Sequence, residues 1–458
     1  MFRRLFQYVG HQAVRLYVGV TGSIAFYPTL ISVALFFLAL LALYIDEQSP
    51  DLLFGYEIPV KNILYPDSAR TLLGAIAGGM ISLMVFSFSM VMVVLNQTSS
   101  NYSPRLLPNL VGQRHHQVIM GFYIGTIAYT FTVITSIESK IYAFGVPSLS
   151  IILASLLSLF CLGLFVAFIN NVSQSIQIGN IINHVYRDTL KAIRQEQKVT
   201  HVPPAQLPDT SDWSVVYSPL SGYLDNISTR FFLYATAQQD VTIRMCVPNG
   251  QFINRHDPLF WSSRTLSSSE KEEIINTLVL RHQEEISSQY AYGFKHLTEV
   301  ALKALSPGIN DPGTAIQALD RLTDLFVERL SMSGTKILTD GHGKLRLIYQ
   351  SIRYEDLLHL SFTSISKYAK GDLTVTLKLI TLLRTILRND TERRHSTVLL
   401  TLSHDLVDDF AENSNKDTDR KLLIKKVSEL TEHCADHPLA IALRMPLAEL
   451  YPADLKTS

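Results

Sequence analysis

The chain has 458 residues, 47% of them hydrophobic and 17% charged, with 40 basic and 40 acidic side chains. That length allows two or three domains, and the even charge balance leaves no basic excess for the phosphates of a nucleic acid. Cys161, Cys246 and Cys434 are odd in number and widely spaced, which excludes a disulfide framework or a zinc knuckle.

The apolar excess sits in the first 170 residues. Residues 1–23 carry Arg3, Arg4 and Arg15 without a short apolar core and a small-residue cleavage site. They read as a retained cytoplasmic amphipathic segment rather than a signal peptide. A transmembrane domain follows over residues 24–170, with four apolar runs at about 24–45, 71–95, 117–137 and 147–169. Each approaches or exceeds the roughly 20 residues that cross a bilayer as a helix. No Asp, Glu, Lys, Arg or His interrupts them. The connections sort by charge. Arg105 and Arg114 lie between the second and third runs, and Arg187, Lys191, Arg194 and Lys198 follow the fourth; Asp46, Glu47, Asp51, Glu57 and Asp67 lie between the first and second. The positive-inside rule then places both termini in the cytoplasm.

In the second run Gly74, Gly78, Ser82, Ser89, Asn96 and Ser100 share one helical face, with Val85 and Met92 filling the gaps. Two readings stand. Small residues let neighbouring helices approach closely; alternatively, Gly78, Ser82, Ser89, Asn96 and Ser100 line a polar, uncharged ion pathway in an oligomer. The absence of charged groups within the runs counts against a proton-coupled pump. The fourth run continues at helical period through Asn170, Asn171 and Gln174, which are candidates for a cytoplasmic mouth. It predicts one helical strut over 171–200.

Pro203-Pro204 marks a linker. Residues 201–266 then predict a small β-barrel or sandwich from short strands, one of them at Phe231–Ala235. Its layout resembles a lipoyl-type barrel-sandwich, but no lysine lies in 213–261 to carry a swinging arm. Residues 267–458 predict a helical cytoplasmic domain, with a Gly/Ser/Thr loop over 331–344 and a helix over 345–370. Within it, Ser306-Pro307-Gly308 ends one helix, with Gly308 supplying the positive-φ turn, and Asn310-Asp311-Pro312 opens the next. Asp311 is the expected N-cap and Pro312 the first helical residue. The corner reads either as a structural joint or as a ligand site built from Asn310, Asp311 and the N–H groups of the second helix.

No phosphate-binding, dinucleotide, zinc-protease or nucleophile-elbow motif is present. His433-Cys434-x-x-His437 is followed by Pro438, which puts the second histidine beyond the helix end, so no metal ligands are assigned, and no cofactor or catalytic set is predicted. Phe88-Ser89, Ser103-Pro104-Arg105-Leu106-Leu107, Ser175-Ile-Gln177 and above all Ala304-Leu-Ser-Pro-Gly-Ile-Asn-Asp-Pro-Gly-Thr-Ala315 resemble domain-of-unknown-function family 2254. That resemblance implies a bacterial inner-membrane protein and no particular activity. The residues themselves point to a homo-oligomeric inner-membrane channel or channel-like transport protein. Its partners would be the lipid bilayer, further copies of itself and ions, and it would not be an enzyme. The alternative is a membrane-anchored scaffold or sensor that binds a ligand or partner through its cytoplasmic domain.

Overall fold

The fold is that of a computed structural model, which describes residues 25–48, 66–101, 114–138, 146–175, 177–197, 207–281, 286, 289–332, 334–369, 372–413, 417–434, 436–441 and 443. The chain divides into two units, residues 1–177 and 178–458. The expected segment 1–23, the Ser103-Pro104-Arg105 exit, the Pro203-Pro204 linker and the Ser100 side chain lie outside the described residues.

Among the described residues the first unit holds four helices, α1 (Phe26–Gln48), α2 (Pro66–Asn101), α3 (Arg114–Glu138) and α4 (Ser148–Ser175). All four are long and apolar enough to cross a membrane. Their shared core mixes small, aromatic and aliphatic residues: Ala39, Ala42, Ala69, Leu73, Tyr129, Val133, Ile151 and Ala154 form one cluster, and Met80, Ile119, Tyr123, Cys161, Phe168 and Val172 another. Large apolar side chains such as Phe37, Leu41, Leu159 and Val166 point outward, the distribution suited to a bilayer, where lipid replaces water as the surrounding medium. Asp46 at the end of α1 caps α4. Its carboxylate accepts the backbone N–H of Leu149 and of Ser150, both at 2.9 Å, and the Ser150 hydroxyl at 2.7 Å.

The second unit opens with helix α5 (Ile178–Gln197). The single strut expected over 171–200 is therefore two helices, and Gln177 between them is not helical. Strands β1 (Ser214–Tyr217), β2 (Gly222–Ile227), β3 (Ile243–Met245), β4 (Phe252–Ile253) and β5 (Pro258–Ser262) follow, with helix α6 (Thr229–Gln238) after β2. Next come α7 (Ser268–Ile275), β6 (Leu278–Arg281), α8 (Ala291–Ala304), α9 (Pro312–Arg329), β7 (Thr335–Thr339) and β8 (Leu345–Gln350). Helices α10 (Tyr354–Leu358) and α11 (Ser364–Tyr368) are joined by a π-helical turn at His359–Thr363; α12 (Leu373–Asn389), α13 (Ser396–Asn413) and α14 (Asp417–Thr431) follow, and then a 3-10 turn at Glu432–Cys434.

The expected small barrel or sandwich is replaced by two open sheets, in the orders β1-β5-β3-β8-β7 and β4-β2-β6. Neither sheet is confined to 201–266. Strand β3 pairs in parallel with β8, Ile243 opposite Leu347, and β6 pairs with β2. The all-helical expectation beyond residue 267 is corrected accordingly: the 331–344 loop contains a strand of alternating β-branched residues, Thr335, Ile337 and Thr339, and the helix expected from residue 345 begins as strand β8. The Phe231–Ala235 strand is instead part of α6, which buries Phe232 and Ala235 on one side of a helix. One apolar core, including Leu224, Phe232, Ile243, Phe260, Ile274 and Leu347, joins both sheets to α6 and α7.

Candidate functional site

The face of α2 singled out in the sequence is turned outward. Gly74, Gly78, Ser82, Val85, Ser89, Met92 and Asn96 are all exposed, and a Cβ added at Gly74 or Gly78 would meet nothing within 4 Å. The Ser82 hydroxyl donates to the Gly78 carbonyl at 2.9 Å, so its oxygen offers lone pairs to whatever lies outside. Close packing inside the unit uses a different pair, Gly121 and Gly125 on α3. A Cβ at Gly121 would stand 3.1 Å from the Pro28 Cα, and one at Gly125 would stand 3.1 Å from the Ser32 Cα and 2.6 Å from Leu35 Cδ1. Their Gly-x-x-x-Gly spacing, which lets membrane helices touch backbone to backbone, is readable in the sequence and was the signal to follow. At the end of α4, Asn170 and Gln174 are exposed and Asn171 half-buried, with the Gln174 amide donating to Asn170 Oδ1 at 3.4 Å.

The corner between α8 and α9 lies in the second unit. Ser306 Oγ donates to the Lys303 carbonyl at 2.6 Å, and the Asp311 N–H reaches the Ala304 carbonyl at 2.8 Å. Asp311 Oδ1 accepts the Thr314 N–H at 3.1 Å and Oδ2 accepts the Thr314 hydroxyl at 2.6 Å; Pro312 is the first helical residue. The left-handed residue of the turn is Asn310, at φ 48°, rather than Gly308. Asparagine is among the few side chains that adopt this conformation readily. Pro307, Gly308, Asn310 and Asp311 are exposed and Ser306 half-buried.

Helix α5, which follows the fourth span in the chain, is fastened to the second unit along its length. Near its start the Arg321 Nε of α9 donates to Asn183 Oδ1 at 3.1 Å, and the Arg321 guanidinium lies over the Tyr186 ring at 5.0 Å. At mid-helix, Thr189 sits against Gly293 of α8 so closely that a Cβ on Gly293 would stand 1.7 Å from the Thr189 hydroxyl oxygen. At its end Arg194 pairs with Glu328, and Gln197 donates to Ser331 Oγ at 3.1 Å. Glu196 pairs with Lys336, whose side chain is fully buried, and accepts the Ser351 hydroxyl at 2.6 Å. Burial pulls the Lys336 ammonium below the ordinary lysine range, opposed by the Glu196 charge. Close by, the buried Arg329 donates to Tyr290 Oη and to the Met332 and Ile352 carbonyls, all at 2.9 Å.

Between α5, α9 and α12 lies a half-open cavity of about 640 Å³. Gln317, Asp320, Arg321 and Asp324 of α9 form one wall, spaced as one helical face. Ile182 and Asn183 of α5 and Lys378, Thr381 and Thr385 of α12 supply the others. Sequence reading missed this set because its members are ordinary polar helix residues, brought together only by packing. Among the described residues no group of three or more His, Cys, Asp or Glu side chains is placed to hold a metal ion.

The chain is similar to uncharacterized proteins of Mycobacterium tuberculosis and Mycobacterium bovis, in each case with 23% identity over 348 residues. Those alignments cover 72% of this chain and 66% of each relative, so the chain spans just under two thirds of the length of these curated relatives. No solved structure matches it significantly. A family model described as a predicted membrane protein (DUF2254) matches residues 21–385, four helices fit to span a bilayer and most of the unit that follows, and the chain therefore belongs to that family.

Proposed function

We propose that the protein is a homo-oligomeric channel or channel-like transporter of the bacterial inner membrane, with both termini in the cytoplasm and no enzymatic role. In this reading the second spans of several copies face a common axis. Gly78, Ser82, Ser89, Asn96 and Ser100 line the pathway, Asn170, Asn171 and Gln174 stand near its cytoplasmic mouth, and the second unit governs assembly or gating. The supporting observation is the outward direction of the α2 stripe: its described residues are exposed, and a Cβ at Gly74 or Gly78 would meet nothing within 4 Å. Serine oxygens can face lipid at little penalty when their protons are bonded within the helix. The exposed Asn96 side chain carries an amide donor and acceptor, and a second copy or water is a better neighbour for it than hydrocarbon. The test is reconstitution into liposomes, with flux of small cations and anions measured and the oligomeric state determined in nanodiscs. The expected result is an oligomer whose flux is reduced by Ser89→Leu. A monomer without flux overturns the reading.

A second reading, a membrane-anchored sensor, is favoured by the cavity between α5, α9 and α12. That cavity abuts the first turns of the helix that follows the fourth span in the chain.

A further inference from the structure

We propose that this cavity binds a neutral, polyhydroxylated small molecule, a sugar or sugar alcohol. Its volume of about 640 Å³ falls within the range of small-molecule sites, roughly 300–1,000 Å³. The lining excludes the other ligand classes in turn. Among the described lining residues Ile182 is the one aliphatic side chain, too little to hold a lipid tail or an apolar compound. Lys378 and Arg321 would attract a phosphate, but Lys378 is paired with Asp320, and Arg321 stands 3.6 Å from Asp324. The four charges cancel, and the same pairing leaves neither carboxylate free for a divalent cation, which binds best to unneutralised oxygen ligands. A zwitterion would have to break both pairs to find partners for its own charges.

Hydrogen-bonding capacity is what the cavity retains. Thr323, Thr381 and Thr385 donate their hydroxyl protons to the carbonyls four residues earlier, at 2.7, 2.8 and 2.9 Å, which leaves their oxygens as acceptors. Arg321 uses its Nε on Asn183 and retains further N–H groups, while Gln317 contributes both a donor and an acceptor. A molecule whose every hydroxyl both donates and accepts matches this mixture and leaves both ion pairs intact. Bound there, it would touch α5 and α9 together and alter how the first turns of α5 are held. That signalling role rests on the sensor reading above, whereas binding itself requires no flux.

The experiment uses the full chain in nanodiscs, with D-glucose, D-ribose and D-mannitol as probes in saturation-transfer NMR and calorimetry. Saturable binding of at least one is expected. It should weaken about tenfold in Gln317→Ala or Thr381→Val, which each remove one polar contact, and persist in Thr381→Ser and in the distant Thr339→Val. Failure of all three polyols to saturate overturns the proposal. So does an affinity unchanged in both cavity variants. Saturable binding of inorganic phosphate, Mg²⁺ or glycine betaine that the same variants abolish would also overturn it, by assigning the cavity to an ion. Flux is measured separately, so a channel that ignores polyols and a polyol binder that conducts nothing give different results.

Discussion

Asp311 shows how much of the α8–α9 corner depends on one carboxylate. It accepts two bonds from Thr314, and these hold its pKa below the ordinary aspartate range, with the Thr314 hydroxyl the larger cause. A depressed folded pKa means that the unfolded chain binds the proton more readily. The cap therefore contributes fully above the unfolded value, near ~4, and its contribution disappears as the pH falls through the lower folded value. Asp311→Ala should cost about 1 kcal/mol near neutral pH and should also remove this share of the acid sensitivity. Asp311→Asn should keep most of the cap while losing the pH dependence. Chemical denaturation at pH 7 and pH 3 measures both effects. Equal stability of wild type and Asp311→Ala at pH 7 would show that the backbone bonds of Asn310 and Asp311 hold the corner without the side chain.

The crossing of α5 and α8 turns on Gly293, a residue that would otherwise weaken the helix it sits in by roughly 0.5–1 kcal/mol relative to alanine. It is accommodated because Thr189 occupies the space of its missing side chain. Gly293→Ala should raise helix propensity and still destabilise the protein, by about 1–3 kcal/mol, since the two helices must separate or Thr189 must move. Thr189→Ala should recover part of that loss, and a double-mutant cycle measures the coupling. A Gly293→Ala variant as stable as wild type would contradict the close approach. Elements of this kind divide by what the sequence can express. The four spans were legible because each is a long apolar run, and the Asp311 cap because capping is local. The β3–β8 pairing was not, because Ile243 and Leu347 meet only through the fold of the residues between them. Nor was helix α6: Phe231, Phe232, Leu233 and Tyr234 have strand-like propensity, and tertiary packing of Phe232 and Ala235 overrides it. The α2 stripe was visible as a stripe, but its outward direction was not, because periodicity alone does not tell which face of a membrane helix meets its neighbours.

At the scale of the molecule, the junction after the fourth span is the decisive feature, because α5 is built into the second unit by contacts that are costly to release. At the end of α5 the fully buried Lys336 side chain depends on Glu196 for its counter-charge, and removing one partner of a buried ion pair costs about 3–5 kcal/mol. Thr189 and Asn183 add packing and a hydrogen bond further along the helix. These contacts make α5 part of the second unit, and in the chain α5 follows the fourth span. Glu196→Ala tests this arrangement. The Ser351 hydroxyl cannot replace the missing negative charge, so the variant should lose about 3 kcal/mol or more from the unfolding transition of the second unit. Its stability should also rise with pH between the depressed folded pKa of Lys336 and the ordinary lysine value near ~10.4, because over that window the unfolded chain binds a proton that the buried amine does not. Replacing the pair with Glu196→Met and Lys336→Met together should restore much of the stability and flatten the pH response. Calorimetry across pH on the three proteins, with the helical signal of the first unit followed separately, makes the comparison. A Glu196→Ala variant as stable as wild type would mean that α5 is held by its packing alone, and equal losses in the single and double variants would mean that the cost does not come from an unpaired buried charge.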